Sequence, residues 1–343
     1  MTLGLLLAGH SEASVLADLA VFAEDLGFTH VCVADERFYR DVYSLLTVMA
    51  LRTRKVTLGP CVTDPYSRHP ALTAAAIYTL DEISGGRAML GFGAGISGFT
   101  EMGVLRPKPV RAIREAIELI RALASGDEVN YDGEIIKFSA GRLSFKPARA
   151  TLPVWVASNG PLGQRMGAET SDAVMMESCG NRIEAEAFRR HVDKAAGPGR
   201  HVQCIVRLNL SISDDRAAAL EALRLRTARS IGSGRTNFYT MAAQGLELPE
   251  QARAKVADIP YNAGAAPFAV IKDAVTDDMV RAVALAGTPQ DIHDQLCTLF
   301  DAGMDGVVVS TNPTPGHTVQ STLERFVRQA WQPAQARRSG AAR

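Results

Sequence analysis

Residues 288–310 read TPQDIHDQLCTLFDAGMDGVVVS and hold one complete unit of the fold. Thr288, Pro289 and Asp291 carry helix-start chemistry: a capping hydroxyl, a proline at the first helical position and an early carboxylate. Ile292, Leu296, Leu299 and Phe300 then recur at helical spacing and make one apolar face. Gly303 is the stop, because glycine accepts the left-handed backbone that ends a helix. Residues 306–310 follow as a short, β-branched run that reads as a buried strand.

The same grammar repeats outward from this unit. Strands are expected at 3–8, 30–34, 55–62, 87–91, 153–157, 173–176 and 204–211. Helices lie between them. Ser11 is expected to cap the first, whose apolar positions Val15, Leu19, Phe22 and Leu26 lead to Gly27 as its end. Further helices fit 44–51 and 71–80, and Pro109 opens another with Ile113, Ile117 and Ile120 on one face. About eight strand–helix units with right-handed crossovers imply an α/β fold, a closed (β/α)8 TIM barrel. Residues 129–138 depart from the repeat as a hairpin around Tyr131-Asp132-Gly133. Residues 231–280 depart again, with Gly232, Gly234, Gly264, Pro260, Pro267, Phe238-Tyr239 and Tyr261. They are expected to be an insertion after strand 7, a lid overhanging the C-terminal mouth where barrel active sites sit. Residues 1–331, the insertion included, are expected to be a single domain, and 332–343, rich in arginine and poor in large apolar residues, a disordered tail.

Composition narrows the function class. Lys+Arg and Asp+Glu are balanced at 37 each in 343 residues, which excludes the clustered basic excess of a nucleic-acid binder. The early apolar run 3–9 is far short of a membrane span, and it lacks the basic flank and cleavage site of a signal peptide. Five scattered cysteines with no CxxC pair fit a reduced, cytoplasmic chain without disulfides or a zinc knuckle. The seven histidines give no metal-ligand spacing. A soluble enzyme acting on a small molecule is the expectation.

Four clusters can carry chemistry. Gly93-Ala94-Gly95-Ile96-Ser97-Gly98 satisfies the dinucleotide pattern GxGxxG, but no helix opens at once and no acidic residue ends a following strand. A glycine loop at a barrel strand end, letting a planar ligand approach the backbone at Gly93 and Gly95, is the better reading. Asp35 and Glu36 end the second strand, where an acid is a candidate for catalysis or ligand anchoring; a helix cap or an ion pair with Arg37 or Arg40 is the structural alternative. Residues 59–70, GPCVTDPYSRHP, place three prolines and several polar groups behind a strand, which implies a rigid loop of special shape. His69 within it is read as structural. Ser158-Asn159-Gly160-Pro161 opens a helix after strand 5, so its amides can hold a phosphate, although an ordinary capped turn uses the same residues.

Taken together, Val33-Ala34-Asp35-Glu36, the 59–70 loop and Leu80-Asp81-Glu82-Ile83-Ser84-Gly85-Gly86-Arg87 running into Gly95 resemble the bacterial luciferase-like superfamily. More narrowly, they resemble its coenzyme F420-dependent methylenetetrahydromethanopterin reductases. The likeness runs from residue 3 to about 315 and is loosest at 231–280. It implies a flavin or deazaflavin ring stacked on a bulge after strand 3, with a cis peptide at Cys61–Val62. It implies Asp35 and Glu36 at the ring edge as catalytic acids, with Asp35 also touching the cofactor. Cys61, Val62, Thr63, Asp64, Gly93 and Gly95 are implied as cofactor contacts, and Ser158, Asn159, Gly160 and Pro161 as the phosphate-side loop. A homodimer is implied too. The reductases carry an acid in strand 1, where this chain has Leu6, and another after the glycine strand end, where it has Ile96. The expected function is therefore hydride transfer between coenzyme F420, or FMN, and a small organic substrate other than the pterin. An FMN-dependent monooxygenase and a non-catalytic cofactor-binding protein are the alternatives.

Overall fold

The structure is a computed structural model describing residues 1–36, 38–95, 97–233, 241, 244–260 and 263–341. Arg37, Ile96, Gly234, Phe238-Tyr239 and Tyr261, which figured in the sequence expectations, lie outside the described residues. The chain divides into two compact units, one of residues 3–174 and 192–202, the other of residues 1–2, 175–191 and 203–343.

In the first unit β1 (Thr2–Ala8), β2 (His30–Ala34) and β3 (Thr57–Pro60) pair in parallel, with Leu5 opposite Val31 and Val31 opposite Leu58. Bridges Leu58–Ala88 and Thr63–Phe92 link β3 to β4 (Leu90–Phe92), which pairs with β7 (Val154–Ala157). Helices α1 (Ala13–Asp25), α2 (Val42–Arg52), α3 (Pro70–Ser84) and α4 (Pro109–Leu123) connect these strands, and α5 (Pro161–Thr170) follows β7. The hairpin of β5 (Val129–Asp132) and β6 (Lys137–Gly141) is antiparallel, but it turns at 133–136 rather than around Tyr131-Asp132-Gly133. Buried Glu115 explains the shift, since its carboxylate accepts from the backbone N–H groups of Glu134, Ile135 and Ile136.

In the second unit β8 (Ala173–Glu177) precedes α6 (Arg182–Ala196), and β9 (Gln203–Ile212) precedes α7 (Arg216–Gly232). After them come α8 (Glu250–Val256), a 3-10 helix (Ala266–Ala274), α9 (Asp277–Val283), β10 (Ala284–Gly287) and α10 (Pro289–Asp301). β11 (Gly306–Thr311), α11 (Val319–Phe326) and α12 (Gln332–Ala341) complete it. β9 pairs in parallel with β11 and, at its C-terminal end, with β10. β1–β4, β7–β9 and β11 are the eight strands of a (β/α)8 barrel, and β10 is an extra strand.

Two expectations need correction. The first helix is capped by Glu12 without a side-chain hydrogen bond rather than by Ser11, and Val15 is exposed. Its buried face is Leu16, Ala17, Leu19, Ala20 and Ala23, because small residues let the helix approach the sheet closely. The expected disordered tail is largely helix: α12 buries Ala334, and Arg338 donates to the Met304 carbonyl at 2.8 Å. The opening unit behaves as read, with Thr288 and Asp291 forming a reciprocal capping box.

The 80–87 motif is framework. Asp81 is buried, holds Arg149 and accepts from the Ala88 N–H at 3.1 Å. Gly85 ends α3 in the left-handed region at φ 67°. Arg87 then donates to the carbonyls of Ala50, Thr53, Val56 and Ser84, gathering the loose end of α2. Among the described residues no helix is long and apolar enough to cross a membrane, and no group of three His, Cys, Asp or Glu side chains could hold a metal.

Candidate active site

β2 stops at Ala34, so Asp35 and Glu36 are not bound by the strict alternation of a strand. Each is held by a hydroxyl from a different loop. Thr63 Oγ1 donates to Asp35 Oδ2 at 2.6 Å, and Ser97 Oγ donates to Glu36 Oε2. Both carboxylates are half-buried. The alternative pairing with Arg40 is not made: Arg40 donates instead to the carbonyls of Gly9 and His10 at 3.3 and 3.0 Å.

The 59–70 loop is a rigid shelf, as its prolines imply. The Cys61–Val62 peptide is cis. Backbone bonds fix the bulge on both sides, Cys61 N–H to Val33 O at 2.8 Å, Thr63 N–H to Gly91 O at 2.9 Å and Gly93 N–H to Thr63 O at 2.9 Å. Asp64 is fully buried, and its carboxylate accepts from the N–H groups of Tyr66 and Ser67 at 2.7 and 2.8 Å and from the Ser67 hydroxyl at 2.8 Å. That carboxylate shapes the loop. His69 caps α3, taking the Ala71 N–H on Nδ1 at 3.2 Å while Nε2 donates to Lys137 O at 3.1 Å, so both ring nitrogens serve structure. Arg68 lies 5.0 Å over the Tyr43 ring. Burial, with the negative charge of Asp35 acting in the same direction, pushes the Tyr43 phenol well above its ordinary range and keeps it protonated.

The glycines have protein neighbours. A Cβ on Gly93 would lie 2.5 Å from Val62 Cγ2, and one on Gly91 would lie 2.4 Å from Pro60 O. Gly95 adopts φ 62°, and a Cβ there would meet the Phe99 ring at 2.8 Å. The glycine run therefore makes room for the bulge and for Phe99. Phe99 sits edge-on to Tyr66 at 6.2 Å and under Arg106 at 4.9 Å, while the Tyr66 hydroxyl reaches Pro107 O at 2.9 Å. These contacts tie the loops after β3 and β4 together.

After β7, helix α5 starts at Pro161 with Gly160 as its N-cap and no side-chain cap. Gly160 is exposed, and nothing lies within 4 Å of where its Cβ would stand. Ser158 Oγ stays within its own turn, 3.2 Å from Gly160 N, and the Gln164 amide donates to the carbonyls of Ser158 and Asn159 at 3.3 and 3.4 Å. Helix α5 thus opens with its positive end at Gly160–Pro161 and no side-chain cap. Sequence reasoning named Asp35, Glu36 and this turn, but missed Ser97 as the Glu36 partner; its place in the quoted glycine run was the available signal.

The luciferase-like monooxygenase family matches residues 2–306. The chain is 37% identical over 296 residues to a 5,10-methylenetetrahydromethanopterin reductase of Archaeoglobus fulgidus, covering 84% of this chain and 87% of the relative. It is 27% identical over 333 residues to an F420-dependent glucose-6-phosphate dehydrogenase of Nocardia farcinica, covering 91% of each. The solved coenzyme F420-dependent tetrahydromethanopterin reductase of Methanopyrus kandleri superimposes with a TM-score of 0.84 at 27% identity, over 97% of this chain and 99% of that one. With its parallel (β/α)8 barrel and a family match over most of its length, this chain belongs to the luciferase-like monooxygenase family.

Proposed function

We propose that the chain is a coenzyme F420-dependent oxidoreductase, in which Glu36, with Asp35 beside it, gives or takes the proton that accompanies hydride transfer to or from a small organic substrate. The observation that carries this reading is the pair of acids at the end of β2, each fixed by a hydroxyl from a separate loop. The residues present suit the cofactor. The Cys61–Val62 bulge offers a rigid backbone shelf, and the uncapped α5 N-terminus at Ser158–Pro161 offers amides and a positive helix end to a phosphate. When bound, the deazaflavin supplies a carbon that carries or accepts hydride. The chain's own part is to orient the ring edge against Glu36 and to hold the proton there. Asp64 acts by setting the loop's shape, and Gly93 and Gly95 by letting the bulge seat.

The expectation that the pterin is not the substrate is not carried forward. It rested on Leu6 and Ile96; Ile96 lies outside the described residues, and a relative named for methylenetetrahydromethanopterin reduction matches at 37% identity. A methylene-bearing tetrahydropterin is therefore the first substrate to try. With reduced F420 and that substrate, Glu36→Gln is expected to lower turnover by about 10²–10⁴-fold, the worth of a placed proton donor, while F420 affinity changes by less than about twofold. Undiminished turnover in Glu36→Gln would remove Glu36 from the chemistry.

A further inference from the structure

Helix α10 carries a second set of reactive side chains, which the proposed chemistry does not use. His293 and Cys297 stand four residues apart, hence on one face of the helix, and His293 Nε2 lies 3.6 Å from Cys297 Sγ. The other ring nitrogen, Nδ1, donates to Asp294 Oδ1 at 2.9 Å, and Gln290 Nε2 steadies that carboxylate at 2.8 Å. The bond to Asp294 leaves Nε2 as the nitrogen with a free lone pair, turned toward the thiol. A nucleophile, a base within reach and a third group orienting the base make the arrangement that activates a thiol. Arg337 adds a cation from α12. It donates to Asp301 Oδ2 at 2.9 Å and hydrogen-bonds Cys297, and these two partners hold its proton more firmly than usual. Among the described residues no group of His, Cys, Asp or Glu closes around a metal, so the cluster is left to thiol chemistry.

The other thiols are placed differently. Cys32, Cys179 and Cys204 are fully buried. Burial pushes the Cys179 thiol up, and a hydrogen bond with Cys61, together with burial, does the same to Cys32. Cys297 is 7% exposed, and its cover is light. Ala334 is the one apolar side chain that α12 buries among those described, and Arg337 and Arg338 supply the polar anchors, Arg338 through Met304 O at 2.8 Å. A helix held this way opens at low cost. We propose that Cys297 is a modification site for low-molecular-weight disulfides, with His293 as its base, and that the modified thiol releases α12 from α10. Cys297 Sγ gives its proton to His293 Nε2 and attacks one sulfur of the disulfide. A new S–S bond forms, the old one breaks, and the departing thiolate takes the proton. Cys297 is oxidised to a mixed disulfide while the reagent is reduced to one thiol. The added group takes the place that Arg337 holds beside the sulfur, and α12 lifts away.

The test is incubation of the full-length protein with glutathione disulfide, the modified cysteine being identified by peptide mass. One glutathione is expected, on Cys297, and Cys297→Ser is expected to take none. His293→Gln is expected to slow the reaction by about tenfold or more, since only a few per cent of an unassisted thiol is ionised at neutral pH. Asp294→Asn, on a mostly exposed side chain, is expected to slow it less, and it keeps the base testable should His293→Gln fail to fold. The mixed disulfide is expected to lower the melting temperature by about 2–5 °C, reversed by dithiothreitol, because α12 no longer covers α10. A native protein that takes no glutathione, or takes it first on another cysteine, would overturn the inference. Equal rates in the wild type and both variants would overturn it too. An unchanged melting temperature in the modified protein would overturn the release of α12.

Discussion

A single methyl at Gly93 tests how the shelf is built. Its Cβ would stand 2.5 Å from Val62 Cγ2, so Gly93→Ala is expected to push the bulge away, costing about 1–3 kcal/mol of stability and weakening F420 binding. Urea unfolding and cofactor titration read both effects; an unchanged pair of values would show that the bulge has room to spare. His30 gives a second residue-scale expectation. Burial pushes its imidazole down to about 4, beside the Trp155 ring at 4.9 Å, so the folded protein holds it neutral. Its folded pKa lies below the unfolded value near 6.5, so its contribution is complete above about pH 6.5 and is lost as pH falls toward 4. A loss on the order of 2 kcal/mol across that window is expected, and His30→Phe should flatten it; an unchanged slope in the variant would assign the acid sensitivity elsewhere. The acids at the end of β2 were legible because a strand-end carboxylate is visible in one dimension. Their partners Thr63 and Ser97 were not, since those contacts exist only after three strands pair. The glycines were visible, but their neighbours Val62 and Phe99 come close only in the fold.

Elements followed the same divide. Strands with β-branched runs were read nearly residue for residue, as at His30–Ala34, while β10 was missed because Ala284-Leu285-Ala286-Gly287 carries no β-branched residue. The face of α1 was misplaced because its contact is made largely by alanines, which add little apolar signal. α12 reads as a tail in the sequence because Ala334 is its one buried apolar side chain among those described, so no apolar periodicity shows. Arg338 nonetheless donates to Met304 O and lies 5.7 Å from the Phe300 ring. Removing residues 332–343 is expected to lower the melting temperature by about 2–5 °C, measured by circular dichroism. An unshifted midpoint would mean that the helix adds nothing to the fold. The exposed Arg337–Asp301 pair at 2.9 Å contributes little to that figure.

At the scale of the whole molecule, the repeat of strand and helix fixes the barrel and its strand ends, and the strand ends fix where chemistry can occur. That much was readable because parallel strands need covered crossovers, and covered crossovers leave periodic apolar faces. Cofactor choice is a different kind of fact. On the proposed reading it depends on the β2 end, the Cys61–Val62 segment and the α5 N-terminus together, and no one of these segments specifies a ring. The most direct test is a titration of the purified full-length protein with coenzyme F420 and with FMN, followed by ring fluorescence. Coenzyme F420 binding at least about tenfold tighter than FMN is the predicted result. Tight binding of FMN alone, or of neither, would contradict the account.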